Sequence, residues 1–116
     1  MAARNIPDAV HNVGVCHEYG QGTARDLLQA EAAYRRAADA GVLWSIFNLG
    51  LMHVNRTAQK SDDVQALSLL LRAKRLAIGK SEAEKAIRDD RAGHIRKLIG
   101  RMTPAQIAEA EAASRS

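Results

Sequence analysis

Apolar positions along this chain recur three or four apart, in runs broken by glycine, proline or a capping polar residue, and the strand signature of β-branched and aromatic residues is thin. The spacing predicts a first helix in which Ala9, Val13 and His17 mark one face, with Pro7 in its opening turn and Tyr19 near its end. Gly20-Gln21-Gly22 supplies the positive φ angles that stop a helix and reverse the chain. Asp26 leads a second helix, whose face of Ala30, Ala33, Tyr34, Ala37 and Ala38 runs to a stop at Gly41. A third helix spans Val42 to about Asn55. Ser61-Asp62-Asp63 opens a fourth, carrying Val64, Ala66, Leu67, Leu69, Leu70, Leu71, Ala73 and Leu76. Ser81-Glu82-Ala83-Glu84 is a capping-box pattern ahead of a narrow stripe of Ile87, Ile95, Leu98, Ile99 and Met102. Within that stretch Arg88-Asp89-Asp90-Arg91 reads as a solvated helix face, with Glu84 and Arg88 spaced for an i,i+4 pair. Thr103-Pro104-Ala105-Gln106 starts a last helix, short and Ala-rich, that must dock on its neighbours to persist.

The pattern is written twice. Asn12, Gly14, His17, Asp26, Gln29, Ala30, Arg36 and Ala37 recur thirty-six positions later as Asn48, Gly50, His53, Asp62, Gln65, Ala66, Arg72 and Ala73. A period of this length means helix pairs that bury their apolar faces against one another. The expected fold is all-α: a short right-handed α-solenoid of two helix-turn-helix repeats, about 7–41 and 42–78, plus a C-terminal helix pair at about 81–114. It forms one domain of about six helices. The inter-helix turn of the second copy, Arg56-Thr57-Ala58-Gln59-Lys60, lacks both glycines of the first, so it is either built differently or has drifted.

Composition narrows the function classes. The 17 basic side chains interleave with 13 acidic ones, which describes a solvated mixed surface despite the net charge of +4. In the middle of the chain the balance tips, because Arg56, Lys60, Arg72, Lys74, Arg75 and Lys80 face only Asp62 and Asp63, and an acidic partner could use that patch. Cys16 is the single cysteine, which excludes an internal disulfide and fits a reducing compartment. The N-terminus lacks the apolar run of a signal peptide and no stretch approaches a membrane span, so a cytoplasmic location is expected.

Candidate chemistry is sparse. His17 and His53 occupy equivalent positions, and His11 and Cys16 share a helix, but no further ligand completes a metal set at i,i+4 spacing. Cys16 among apolar neighbours reads as packing, and Gly20-x-Gly22 is no phosphate loop, since no strand precedes it and no Lys-Ser/Thr follows. The reading is a protein without catalytic residues, cofactor or metal.

Laid out this way, the chain resembles the Sel-one-like repeat family, a branch of the tetratricopeptide-like helical repeats. The first copy carries Ala9, Val13, Gly14, His17, Gly20, Gly22, Thr23, Asp26, Ala30, Ala37, Ala38 and Gly41 at that family's spacing, and the second begins Ser45, Leu49, Gly50, His53. Met102 to Ala110 looks like the phrase that often follows the last repeat. Both copies place histidine where the family has tyrosine, and the second lacks the Gly-x-Gly turn and the closing Ala-Ala-x-x-Gly. The resemblance implies an adaptor or scaffold for other proteins.

It also implies where a partner sits, because the first helix of each tetratricopeptide-like pair lines the concave side. By that analogy the first copy presents Asp8, His11, Val15, Glu18 and Tyr19, and the second Trp44, Phe47, Leu51, Val54 and Asn55, of which His11, Val15, Glu18, Trp44, Phe47, Leu51 and Asn55 are the candidate binding residues. The third helix is also apolar on its other face, at Ile46, Leu49 and Met52. A helix without a polar side is covered on every side or binds something. Either the C-terminal helices do the covering, or Trp44, Phe47 and Leu51 form a groove for a partner helix or peptide, or a dimer seam. The alternative class is a small basic regulator binding nucleic acid through Arg72, Lys74, Arg75 and Lys80, with a steep salt dependence.

Overall fold

The computed structural model describes residues 2–115, with side chains from Ile6 onward. Seven helices follow in order: α1 Ala2–Tyr19, α2 Leu27–Asp39, α3 Leu43–Val54, α4 Asp63–Leu76, α5 Glu82–Arg88, α6 His94–Arg101 and α7 Pro104–Ser114. No strand occurs among the described residues. α1 packs on α2, α2 on α3 and α3 on α4, so two hairpins stack in series, and α7, with α5 and α6, packs against α4. The chain is an all-α solenoid.

Local chemistry accounts for the helix starts. The Asp26 carboxylate accepts the backbone N–H groups of Leu28 and Gln29, and Asp62 accepts that of Val64. Thr103 and Gln106 form a complete capping box, each side chain accepting the other's backbone N–H at 3.1 and 2.9 Å. At the start of α5 the box is shifted. Ser81 Oγ accepts the Glu84 N–H, but the Glu84 carboxylate reaches back to the N–H of Gly79.

Small residues set how closely the hairpins close. Ala30, Ala33, Ala37 and Ala38 of α2 and Ala66 and Ala73 of α4 are buried. Gly14 lies so near Tyr34 that a Cβ there would stand 2.7 Å from two ring carbons. Gly50 meets Leu70, the counterpart of Tyr34, with a 3.0 Å approach. The recurring glycine is therefore where a first helix meets the bulky side chain of its second. Tyr34 is fully buried, and its hydroxyl donates to Glu18 across 2.6 Å. Burial, and then the Glu18 carboxylate, push its pKa above the usual phenol value.

Two linked cores result. One gathers Tyr34, Ile46, Leu49, Met52 and Ile87, the other Leu67, Leu70, Leu98, Met102 and Ala110, and Phe47 packs against both.

The second inter-helix turn is built like the first despite losing its glycines. Gly20 ends α1 at φ +69, and Arg56, thirty-six residues on, ends α3 at φ 61. The N–H of Gln21 bonds the carbonyl of Cys16, and that of Thr57 bonds the carbonyl of Met52, both at 2.9 Å. The same six-to-one helix stop is thus made twice, once with an arginine in the left-handed region.

Three expectations need correction. α1 begins at Ala2, so Pro7 lies inside the helix and not in its opening turn. The stretch expected as one helix after Ser81 breaks into α5 and α6, which raises the helix count from about six to seven. Asp90 takes φ 51 and Gly93 φ 74, and the Asp90 carboxylate accepts the N–H groups of Ile95 and Arg96 to start α6. The Arg88–Arg91 segment is therefore a helix break, and the expected Glu84–Arg88 pairing gives way to two separate bonds onto Gly79, Glu84 accepting its N–H and Arg88 donating to its carbonyl.

Candidate functional site

Trp44 and Phe47 lie one turn apart on α3, the helix whose sequence is apolar nearly all round. Opposite them stand Ala83, Ala86 and Ile87 of α5 and His94 and Ile95 of α6, with Leu70 of α4 at the base. Together they enclose a cleft of about 260 Å³. Trp44 remains 38% exposed, whereas Phe47 is half-buried, its ring edge-on to His94 at 6.4 Å between centroids. Asp90 adds a carboxylate to the lining, but its oxygens are already bonded at the start of α6. The wall chemistry suits an apolar side chain.

The candidate binding residues fall into two groups. Trp44 and Phe47 line the cleft, while Leu51 and Val54, further along α3, pack against the second core. Asn55 is exposed just beyond the end of α3. His11, Val15 and Glu18 are engaged inside the stack. His11 Nδ1 and Ser45 Oγ share a hydrogen bond of 2.5 Å, Val15 packs against the first core, and Glu18 accepts from Tyr34. Asp8 and Tyr19 are exposed. Burial depresses the pKa of His11, against upward pulls from Asp8 and Glu18. The opposite wall of the cleft went unread in the sequence. Ile87 and Ile95 stood in the apolar stripe, but only the break at Asp90 and Gly93 turns both toward Trp44.

The basic residues of the second reading are partly committed to backbone carbonyls. Lys74 donates to Arg88 and Arg75 to Ser114, which fastens the C-terminal helices to α4. Arg72 is half-buried and Lys80 exposed. A second, polar cleft runs beside His53, lined by Glu31, Arg35, Gln59, Lys60, Asp62 and Gln65. Glu31 accepts the Gln59 N–H there at 2.9 Å. Among the described residues, no three His, Cys, Asp or Glu side chains are grouped to hold a metal, and no helix is long and apolar enough to cross a membrane.

Comparison with solved structures finds the crystal structure of c5321, a protective antigen present in uropathogenic Escherichia coli strains and displaying an SLR fold. It is 23% identical with a TM-score of 0.77, over 98% of this chain and 22% of that one. The similarity is one of fold, and the chain spans about a fifth of that protein's length. Comparison with curated proteins finds no match. The Sel1 repeat family model matches residues 7–42 and again 45–77, the two stacked hairpins. A match over more than half its length means that this chain belongs to the Sel1 repeat family, whose members are generally protein-interaction modules.

Proposed function

We propose that this chain is a non-catalytic adaptor or scaffold that holds a partner protein by taking an apolar side chain of a partner helix or peptide into the cleft between α3 and the α5–α6 pair. One observation carries the reading: Trp44, the chain's single tryptophan, stands partly exposed at an apolar cleft instead of being sealed in a core. A volume of about 260 Å³ falls below the roughly 300–1,000 Å³ of typical small-molecule pockets, and it suits one anchoring residue of a longer ligand. Helix-in-groove recognition works through such anchors, and tryptophan is enriched where truncation costs most binding energy. The binding set on this reading is Trp44 and Phe47 with Ile87, His94 and Ile95. His11, Val15 and Glu18 serve indirectly, by holding α1 against the neighbouring helices.

The test is selection from a displayed peptide library on the intact chain, followed by affinity measurement on two variants. Trp44→Ala removes the anchor contact, and Ala83→Trp fills the cleft from an exposed position. Selected peptides should share a central Leu, Phe or Trp and bind both variants at least about tenfold more weakly, the scale of a single lost anchor. Peptides that bind both variants as tightly as the parent would place the site elsewhere.

A further inference from the structure

Four cations meet between the ends of three helices. Lys74 and Arg75 from the last turn of α4, Arg88 at the end of α5 and Arg115 just past α7 line a cleft of about 310 Å³, with Glu111 as the acid among its lining residues. Elsewhere on the surface carboxylates neutralise such cations: Asp63 pairs with Arg56 and Arg101, Glu31 with Arg35, and Glu82 with Lys85 and Arg91. Here they do not. Among the described residues none of the four forms an ion pair, with Glu111 or with any other acid. Their hydrogen bonds run to neutral carbonyls instead, Lys74 to Arg88 at 2.6 Å, Arg88 to Ala77 and Gly79 at 2.9 and 3.1 Å, and Arg75 to Ser114. Such bonds hold the side chains in place and leave their charge uncompensated.

A cation near a helix C-terminus is ordinary, because the last carbonyls carry about −0.5 of a charge. Three such ends at one cleft, together with Glu111, offset about 2.5 of the four positive charges and leave an excess of about +1.5. A phosphomonoester carries about −1.5 to −2 at pH 7 and three acceptor oxygens, whereas a carboxylate carries a single charge and two oxygens. Guanidinium forks match phosphate oxygens, and Arg75 and Arg88 each commit only one nitrogen of the fork to carbonyls. The cations line a cleft instead of spreading over a flat face, which suits one inserted group on a polypeptide better than a plane of lipid headgroups. We propose that this cleft binds a phosphorylated serine or threonine side chain of a partner protein. The proposal rests on the reading of this chain as a protein-interaction module, but the cleft shares no lining residue with that of Trp44.

The probe is a fluorescent pool of short peptides with central phosphoserine and randomised flanks, titrated by anisotropy against the full chain beside matched pools carrying serine or glutamate. The phosphorylated pool should bind at least about tenfold more tightly than either. Arg115→Glu should weaken that binding by about tenfold and Glu111→Gln should tighten it by about threefold, both with melting midpoints close to the parent's. Both residues are exposed, and opposite effects from them exclude a loss of fold. Lys60→Glu makes the same charge change in the cleft beside His53, and it should leave the affinity within about twofold, as should Trp44→Ala. Equal binding of the phosphorylated and glutamate pools overturns the proposal. Equal losses from Arg115→Glu and Lys60→Glu overturn it by reducing the effect to net charge, and a loss on Trp44→Ala does so by moving the peptide to the other cleft. Inorganic phosphate that binds as tightly as the pool would assign the cleft to a free anion. Phosphatidylserine vesicles that retain the parent but not Arg115→Glu, with no binding of the pool, would assign it to a lipid surface, and either result overturns the proposal.

Discussion

The backbone N–H of Asp62 donates to Nδ1 of His53 across 3.1 Å, whereas its counterpart Asp26 donates to the carbonyl oxygen of His17 at 2.9 Å. The second repeat thus uses an imidazole ring where the first uses backbone. Because Nδ1 accepts, the neutral ring of His53 carries its proton on Nε2, a buried atom without a hydrogen-bond partner among the described residues. Protonating Nδ1 would set two N–H groups against each other at the N-cap of α4.

A pH dependence follows from that geometry. Burial lowers the His53 pKa from its ordinary value near 6.5, Glu31 and Asp62 oppose the shift, and Arg35 and Arg56 reinforce it. With the folded pKa below the unfolded one, the unfolded state binds more protons between the two values. The stabilisation is therefore complete above about 6.5 and is lost as pH falls from there through the folded-state pKa. The limiting slope is about 1.4 kcal/mol per pH unit for one such group. Urea unfolding at pH 7.5 and pH 5 should show the loss, and His53→Gln should reduce it, leaving the share that His11 contributes in the same direction.

The two repeat glycines should tolerate alanine unequally. At Gly14 the new methyl meets the ring of a fully buried tyrosine at 2.7 Å, while at Gly50 it meets a terminal methyl of Leu70 at 3.0 Å. A rigid ring in a packed core cannot yield as a leucine branch can. Gly14→Ala should cost about 1–3 kcal/mol from overpacking, and Gly50→Ala should be close to neutral once the gain in helix propensity, about 1 kcal/mol, is included. Denaturant midpoints of the two variants decide it, and equal values would remove the steric account.

A left-handed backbone at Arg56 offers the reverse experiment. Arginine there carries a cost of about 1–2 kcal/mol that glycine at position 20 avoids. Its ion pair with Asp63 at 3.0 Å is exposed and offsets little, and Asp63 keeps its two bonds to Arg101 at 2.8 and 3.0 Å when Arg56 is removed. Arg56→Gly should raise stability by about 0.5–1 kcal/mol and Gly20→Ala should lower it by about the same amount. Thermal melts of both variants measure this directly.

What the sequence disclosed divides along the range of the interactions. The thirty-six-residue register, the caps at Asp26, Asp62 and Thr103, and the alanine faces of α2 and α4 are set by contacts within a turn or between adjacent helices, and periodicity exposes them. Arg56 was opaque because nothing in its residue type signals a positive φ. The break at Asp90 and Gly93 was opaque because Ile87 and Ile95 continue an apolar spacing across it, and the aspartate that caps α6 lies four residues before that helix begins. The same holds for the cleft. Its near wall, Trp44 and Phe47, was legible as a helix without a polar side, but the far wall draws on residues of both α5 and α6, on the two sides of that break.

Trp44 and Phe47, adjacent in the cleft, should separate on truncation. Phe47 touches both cores, so Phe47→Ala leaves a void between them and should destabilise the chain by about 2–3 kcal/mol, somewhat under the 3–5 kcal/mol typical of fully buried phenylalanine. Trp44 belongs to neither core and is 38% exposed, so Trp44→Ala should change stability by less than about 1 kcal/mol while removing most binding of a cleft ligand. Urea titration followed by circular dichroism gives the first quantity and peptide affinity the second. A Trp44→Ala chain that unfolds would make this residue part of the core and leave the cleft without its anchor. A Phe47→Ala chain as stable as the parent would show instead that α5 and α6 lie loosely on α3, and that the cleft can widen to admit a larger ligand than its present volume allows.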